Sequence, residues 1–316
     1  MKKIIMILVG LSMVSCSSGQ KRSDGYEQAM QDMGAAPSDG MPDSSQLASS
    51  GQPKKKVAVF SFWNDTPVFF RGIESFTGNE LKRLLFATQR VIISRDAQSQ
   101  IETKDLVSGG NIKVAQLIRE ARRMGVSVAV VGRIGRIVFR QQGEEVGLFR
   151  RSESRAAVDV EVKVFDVNGG REISAFGRSG ESNSSALSAF EEADLSSPQY
   201  RQELTQLALR DALNRVAPQI LRVVEKMAWR GAVAKIIGNK IYLSSGRKSG
   251  LVAGDILKVL TPGKDVYEPS SGAYLGRTKG ELKGTLEVID FLGEDSAVSV
   301  IHTGGNFQQG DTVRLY

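Results

Sequence analysis

The sequence predicts an α+β protein, with a layered α/β part followed by a small all-β barrel. Three observations carry this. From Lys56 to about Arg140, apolar runs of strand length alternate with stretches of helical periodicity, the pattern of a layered α/β fold. Around Val158 the pattern becomes strict alternation of apolar and polar residues. After about Gly231 helical periodicity stops, and short strands alternate with Gly-containing turns, as in a small barrel or sandwich.

Val57 to Phe60 is a continuous apolar run and reads as a strand covered on both faces. Thr77 is placed to cap a helix, with Glu80 three residues on as its capping-box partner and Leu81, Leu84 and Leu85 as the apolar stripe. Val91 to Ile93 gives the next strand. Asn111 is placed to cap a second helix that turns Ala115, Leu117, Ile118, Ala121 and Met124 inward and stops at Gly125. Val126 to Val131 is a third strand, and Gly132 to Arg140 extends it or pairs with it. Val158, Val160, Val162 and Val164 alternate with Asp159, Glu161 and Lys163, a half-buried antiparallel strand with one wet face. Asn168-Gly169-Gly170 is a hairpin turn signal. Ser-rich sequence then leads to Pro198. A long amphipathic helix is expected over about Tyr200 to Met227, with Leu204, Leu207, Leu213, Val216, Ile220, Val224 and Met227 inward and Pro218 as a kink.

The barrel region carries an internal echo. SGLVAGDILKV returns as GGNFQQGDTVRL, matching Gly254-Asp255 to Gly310-Asp311 and Leu251 to Phe307. Gly supplies backbone freedom for a turn, and Asp accepts hydrogen bonds from nearby backbone. These four residues therefore read as structural turns.

Cys16 is the lone cysteine of 316 residues. Lys2 and Lys3 precede an apolar run, Ile4 to Met13, that is too short to span a bilayer. Small Ser15 stands directly before Cys16, the layout of a lipoprotein cleavage site, so segment 1–16 reads as a signal with Cys16 lipidated. Several acyl chains on one residue hold firmly, at roughly 0.8 kcal/mol per buried CH₂. Ser17 after the Cys favours the outer membrane. Segment 17–53 is rich in Ser, Gly, Gln and Asp. It reads as a disordered tether reaching on the order of 35 Å. The expected division is then 54–230 for the α/β part and 231–316 for the β part.

Formal charge is +7, and +5 without Lys2 and Lys3. An exported chain of this kind is not expected to meet nucleic acid. Anionic envelope polymers or lipid head groups suit it better, although its Lys and Arg residues are scattered. A single Cys forbids an internal disulfide and leaves none for zinc or a thiol nucleophile. His302 is the only histidine and reads as a strand-end surface residue. GRIG at Gly132 to Gly135 lacks the third glycine of a dinucleotide fingerprint, and SSGRKSG and PGKD lack P-loop spacing. Glu144-Glu145 and Glu191-Glu192 sit in polar stretches as solvated loops. No enzyme, cofactor or metal is expected.

VAVFSFWND, QRVIISRDAQSQIETKDL, and ARRMGVSVAVVGRI leading to VDVEVKVFDVNGGREI resemble the CsgG-type family of outer-membrane assembly lipoproteins, which includes the curli secretion component. The TolB amino-terminal domain has a similar layout. The C-terminal part is similar to the corresponding domain of flagellar assembly protein T, chiefly in EPSSGAYLG (Glu268 to Gly276) followed by GTLEV (Gly284 to Val288). Here a tether stands where the flagellar protein has an extra folded N-terminal domain. These resemblances imply a non-enzymatic scaffold of an envelope machine, most closely a flagellar-motor ring, that forms a homo-oligomer or meets ring partners. A curli-type secretion channel and a peptidoglycan-binding lipoprotein are the alternatives. The curli channel inserts two β-hairpins per subunit. The matching places here, RQQGEEVGLFRRSESR and GRSGESNSSALSAFEEADLSSPQY, are charged or Ser-rich without an apolar row, so lipid on Cys16 is the expected membrane contact. Trp63, Phe69 and Phe70, in WNDTPVFF, are the expected partner contacts, with a core-capping loop as the other reading of that stretch.

Overall fold

The computed structural model describes residues 53–94, 103–146, 149–183 and 195–316. Cys16, the tether up to residue 52 and Glu191-Glu192 lie outside the described residues. In chain order the first part contains β1 (Lys56–Val59), β2 (Trp63–Asn64), α1 (Ile73–Ala87), β3 (Ile92–Ile93), β4 (Val107–Ser108) and β5 (Asn111–Ile112). It continues with α2 (Val114–Arg123), β6 (Val128–Val146), β7 (Phe149–Asp166), β8 (Arg171–Asn183) and α3 (Pro198–Lys226).

One mixed sheet organises these elements in the order β3-β1-β6-β7-β8, with β2 also on β6. β1 lies parallel to β3 and β6, whereas β6, β7 and β8 run antiparallel. Alternate residues of a strand face opposite sides, and both sides of β1 are covered. Val57, Val59, Val128 and Val130 join the four valines of β7 beneath α1 and α3. Ala58, Phe60, Ala129 and Val131 meet Leu117, Ile118 and Ala121 of α2 on the other side. The polar face of β7 stays wet and carries ion pairs, Arg133 with Glu161 at 2.7 Å and Arg136 with Asp159 at 2.7 Å.

Several local expectations are corrected. Thr77 does not cap α1. The helix starts a turn earlier, after Gly72, because Phe70 and Ile73 are drawn into the core. The Thr77 hydroxyl donates to the Ile73 carbonyl at 2.7 Å, and Glu80 binds Arg83. Asn111 does not cap α2, because it pairs with Ser108 in the short β4–β5 hairpin. In α3 the Ser197 hydroxyl accepts from the Tyr200 amide at 3.4 Å and Pro198 occupies the first turn. Its buried stripe uses Ala208, Leu209 and Ala212, while Leu207 and Met227 stay half-buried. Pro218 lies within the helix.

The largest correction concerns the two insertion places. RQQGEEVGLFRRSESR is no solvated loop. β6 and β7 continue through it as one hairpin, paired from Val128 with Asp166 to Val146 with Phe149. Backbone pairing does not require an apolar row, and the register sets Glu144 against Arg151 and Glu145 against Arg150. At the second place β8 extends to Asn183, beyond which residues 184–194 lie outside the described residues.

The second part contains β9 (Gly231–Ile237), β10 (Lys240–Leu243), β11 (Ile256–Leu260), β12 (Asp265–Tyr267), β13 (Tyr274–Arg277), β14 (Leu282–Leu292), β15 (Ser296–Gly304) and β16 (Thr312–Leu315). Six of them close a barrel in the order β10-β15-β14-β11-β16-β9. Trp229, Val233, Leu243, Leu257, Leu286, Val288 and Val313 fill it. β12 and β13 leave the barrel as a separate two-stranded arm. The fold is therefore mixed α and β, as the sequence predicts, with three α-helices among the described residues. Both parts belong to one compact unit, Ser50–Tyr316.

Candidate functional site

The WNDTPVFF stretch divides its aromatic residues. Asn64 and Thr66 build a turn in which the Thr66 amide and hydroxyl donate to Asn64 Oδ1 at 3.1 and 2.8 Å, and Asn64 Nδ2 donates to the Val68 carbonyl at 2.7 Å. Beyond it Phe69 points out, 76% exposed. Phe70 is corrected to a core residue: it is 7% exposed and meets the Phe139 ring edge-on at 6.4 Å. Trp63 is half-buried against the α2 side of the sheet, and its indole N–H is buried without an acceptor. Only Phe69 of the three offers a free surface.

The paired turns of the barrel share one geometry. Gly254 and Gly310 have φ of +91° and +90°, which a side chain strains. Asp255 accepts from the Val252 amide at 2.9 Å, and Asp311 accepts from the Gln308 amide at 2.7 Å. The Gly254 amide donates to Val288 and the Gly310 amide to Val233, so each turn is tied to a neighbouring strand. His302 is exposed at the end of β15, with Nδ1 3.1 Å from the Thr285 hydroxyl. No group of three or more His, Cys, Asp or Glu able to hold a metal occurs among the described residues. No helix there is long and apolar enough to cross a membrane.

The residues that join sheet and barrel were not legible as a group in the sequence. On one side the β12–β13 arm grips the C-terminal end of α2. Arg122 donates to both oxygens of Asp265 at 2.9 and 2.8 Å, and the Tyr274 hydroxyl lies 3.3 Å from the same carboxylate. The Arg122 guanidinium holds the Asp265 carboxyl below the usual range against the opposing effect of burial. Gly170, in the β7–β8 turn, admits the Tyr274 hydroxyl where a Cβ would collide with it. At the tip of the arm, Ser270 and Ser271 donate hydroxyl and amide hydrogen bonds to the exposed Glu268 carboxylate and lower its pKa to about 2. The EPSSG run is thus a self-closing turn.

On the other side the chain entering β1 is held by the barrel. The Lys54 amide donates to the Ser249 carbonyl at 2.7 Å, and Lys56 pairs with Asp295 at 3.1 Å while its Nζ also donates to the Ser244 carbonyl. Burial pushes the Asp295 carboxyl up. Lys56, the Gly246 and Ser249 amides and the Ser249 hydroxyl outweigh that and hold it below the usual range. Between the two attachments lies a cleft of about 280 Å³. Lys56, Arg122, Arg230 and Arg277 line it, with Trp229, Ser127 and Ser245, and no carboxylate does. These cations come from positions far apart in the chain. Neither a run nor a spacing announces them, and the one sequence signal is the basic excess itself.

The fold thus defines a mixed-sheet α/β protein carrying a closed six-stranded barrel. No protein-family model and no curated protein matches the chain. Among solved structures it is similar to a hypothetical protein of Chlamydia trachomatis, at 13% identity over 54% of this chain and 98% of the other, with a TM-score of 0.36. It is also similar to a lipoprotein of Neisseria meningitidis (10% identity, 53% and 99% covered, TM-score 0.29) and to a minor lipoprotein of Acinetobacter baumannii (15%, 54% and 94%, 0.29). At such low TM-scores the reading of this chain rests on its own residues.

Proposed function

We propose that this chain is a non-enzymatic scaffold of a bacterial envelope machine, most closely of the flagellar-motor-ring kind. Lipid on Cys16 holds it on the periplasmic face of the outer membrane, and the folded part packs against copies of itself or a ring partner. One observation supports assembly above the others. β8 ends the sheet as a strand of 13 residues with no second strand partner among the described residues. A long edge of this kind is a template for pairing with another chain. Asp211 of α3 takes the Glu181 amide at 3.1 Å, and Gly180 is buried against Ala208 and Ala212 of α3, so the open stretch runs over Arg171 to Ser179. Exposed Phe69 adds an apolar contact elsewhere on the same part.

The native mass of the full-length protein, extracted in mild detergent, tests this. A discrete complex of many copies is the expected result, and a particle of one chain's mass overturns self-assembly.

The β6–β7 hairpin favours a second reading, a curli-type secretion channel. Its strands of 19 and 18 residues exceed the roughly ten needed to cross a bilayer. Its sequence, with Arg140, Glu144, Glu145, Arg150, Arg151 and Glu153, speaks against a lipid-facing row. Ion conductance in planar bilayers separates the two readings: a scaffold gives none.

A further inference from the structure

We propose that the cleft between sheet and barrel is a binding site for a phosphate group. The inference stands apart from the scaffold reading, because it concerns what the junction holds rather than what the protein assembles.

Four cationic side chains, Lys56, Arg122, Arg230 and Arg277, line one space of about 280 Å³. Two carboxylates stand beside them, Asp295 on Lys56 and Asp265 on Arg122. Two positive charges remain in excess, which a phosphate dianion matches. Arg230 supplies the clearest vacancy, since its guanidinium has no ion-pair or hydrogen-bond partner among the described residues.

The guanidinium groups are also crowded. The Nε–H groups of Arg122 and Arg277 are buried without an acceptor, although such groups ordinarily have one. Arg277 Nε lies 3.2 Å from Asp265 but is not aligned to donate to it. Arg314, whose Nε is likewise buried without an acceptor, stands behind the cleft near Arg230 and is offset by Asp166, so the excess of two charges is unchanged. Burial lowers the pKa of Arg277 and Arg314, and a neighbouring guanidinium lowers each further, Arg122 for the first and Arg230 for the second, against the opposing pull of Asp265 on the first and Asp166 on the second. An oxyanion in the cleft relieves this crowding. Guanidinium forks suit phosphate geometry, and the Ser245 hydroxyl adds a neutral donor on the same wall. The phosphate comes either free or on a lipid head group.

Trp229 lines the cleft and is one of two tryptophans in the chain. In full-length protein carrying Trp63→Phe, its emission is titrated with sodium phosphate at constant ionic strength, with sodium acetate and sodium chloride in parallel. Equilibrium dialysis against labelled phosphate is read alongside and decides the case if the indole stays silent. We expect saturable phosphate binding, weaker response to acetate and none to chloride. Arg230→Ala should weaken phosphate binding on the order of tenfold at an unchanged melting temperature, and Arg230→Lys should restore part of it. Displacement of labelled phosphate by short-chain phosphatidylglycerol identifies a lipid source, and its absence identifies a soluble one. No saturable binding in dialysis, or equal binding by Arg230→Ala and its parent, overturns the site.

Discussion

The Gly254-Asp255 and Gly310-Asp311 turns are built alike and loaded differently. In each, Gly takes a left-handed backbone and Asp accepts the amide three residues earlier. Asp255 remains half-exposed. Asp311 is 1% exposed and receives Lys283 at 2.9 and 2.8 Å, a lysine that is itself 14% exposed. The first turn is a local device. The second has become part of a buried ion pair that ties it to β14. A repeated motif transmits its local chemistry, and the surrounding fold decides how much energy rests on it.

Substitutions break this comparison in a defined order. Asp311→Ala should be the most damaging, costing about 3 kcal/mol in denaturant unfolding, because it leaves Lys283 charged and without its partner. A double-mutant cycle with Lys283→Ala should show a coupling of about 1–2 kcal/mol. A coupling near zero would mean that Asp311 acts through its turn alone. Asp255→Ala should cost only about 1 kcal/mol, the value of its amide hydrogen bond.

Acid sharpens the contrast between the barrel's own turns and its attachment to the sheet. Asp265 and Asp295 are held below their ordinary values. The stability they contribute is fully present above the unfolded carboxyl value, near 3.9. It is lost as pH falls through their lower folded values. Hydrogen exchange followed downward from pH 5 should therefore show the Lys54 amide and the arm loosening below about pH 4. Protection that stays level through that range would rule out these two carboxylates as the fastening. The smallest expected effect is a difference of zero. Gly254→Ala and Gly310→Ala should each cost about 1 kcal/mol, because both have φ near +90° and open space where a Cβ would stand.

Legibility in the sequence followed the range of the interaction. The valine alternation of β7, the Asn168-Gly169-Gly170 turn and the short strands of the barrel rest on periodicity and local backbone chemistry, and each could be read directly. Thr77 and Asn111 carry capping side chains, but core packing of Phe70 and Ile73 sets the start of α1 and the β4–β5 hairpin claims Asn111. Phe70 is adjacent to Phe69 and identical to it in type, so residue type does not say which of the two enters the core. The β6–β7 hairpin is hidden in the sequence because its charged composition is that of a loop, while backbone pairing does not depend on an apolar row. The cationic cleft was beyond reach for a different reason: Lys56, Arg122, Arg230 and Arg277 converge only after the barrel docks on the sheet.

The barrel closes by pairing β9 with β16, Ala232 against Thr312. Its first strand must therefore wait some eighty residues for its last neighbour, and closing so long a loop is slow compared with local pairing. A chain cut just before Thr312 would keep β9 and β11 as open edges, ready to pair with other unfinished chains. Barrel closure thus serves as a test that β16 has arrived. Only a barrel that has received β16 hides its own edges from proteases and from aggregation.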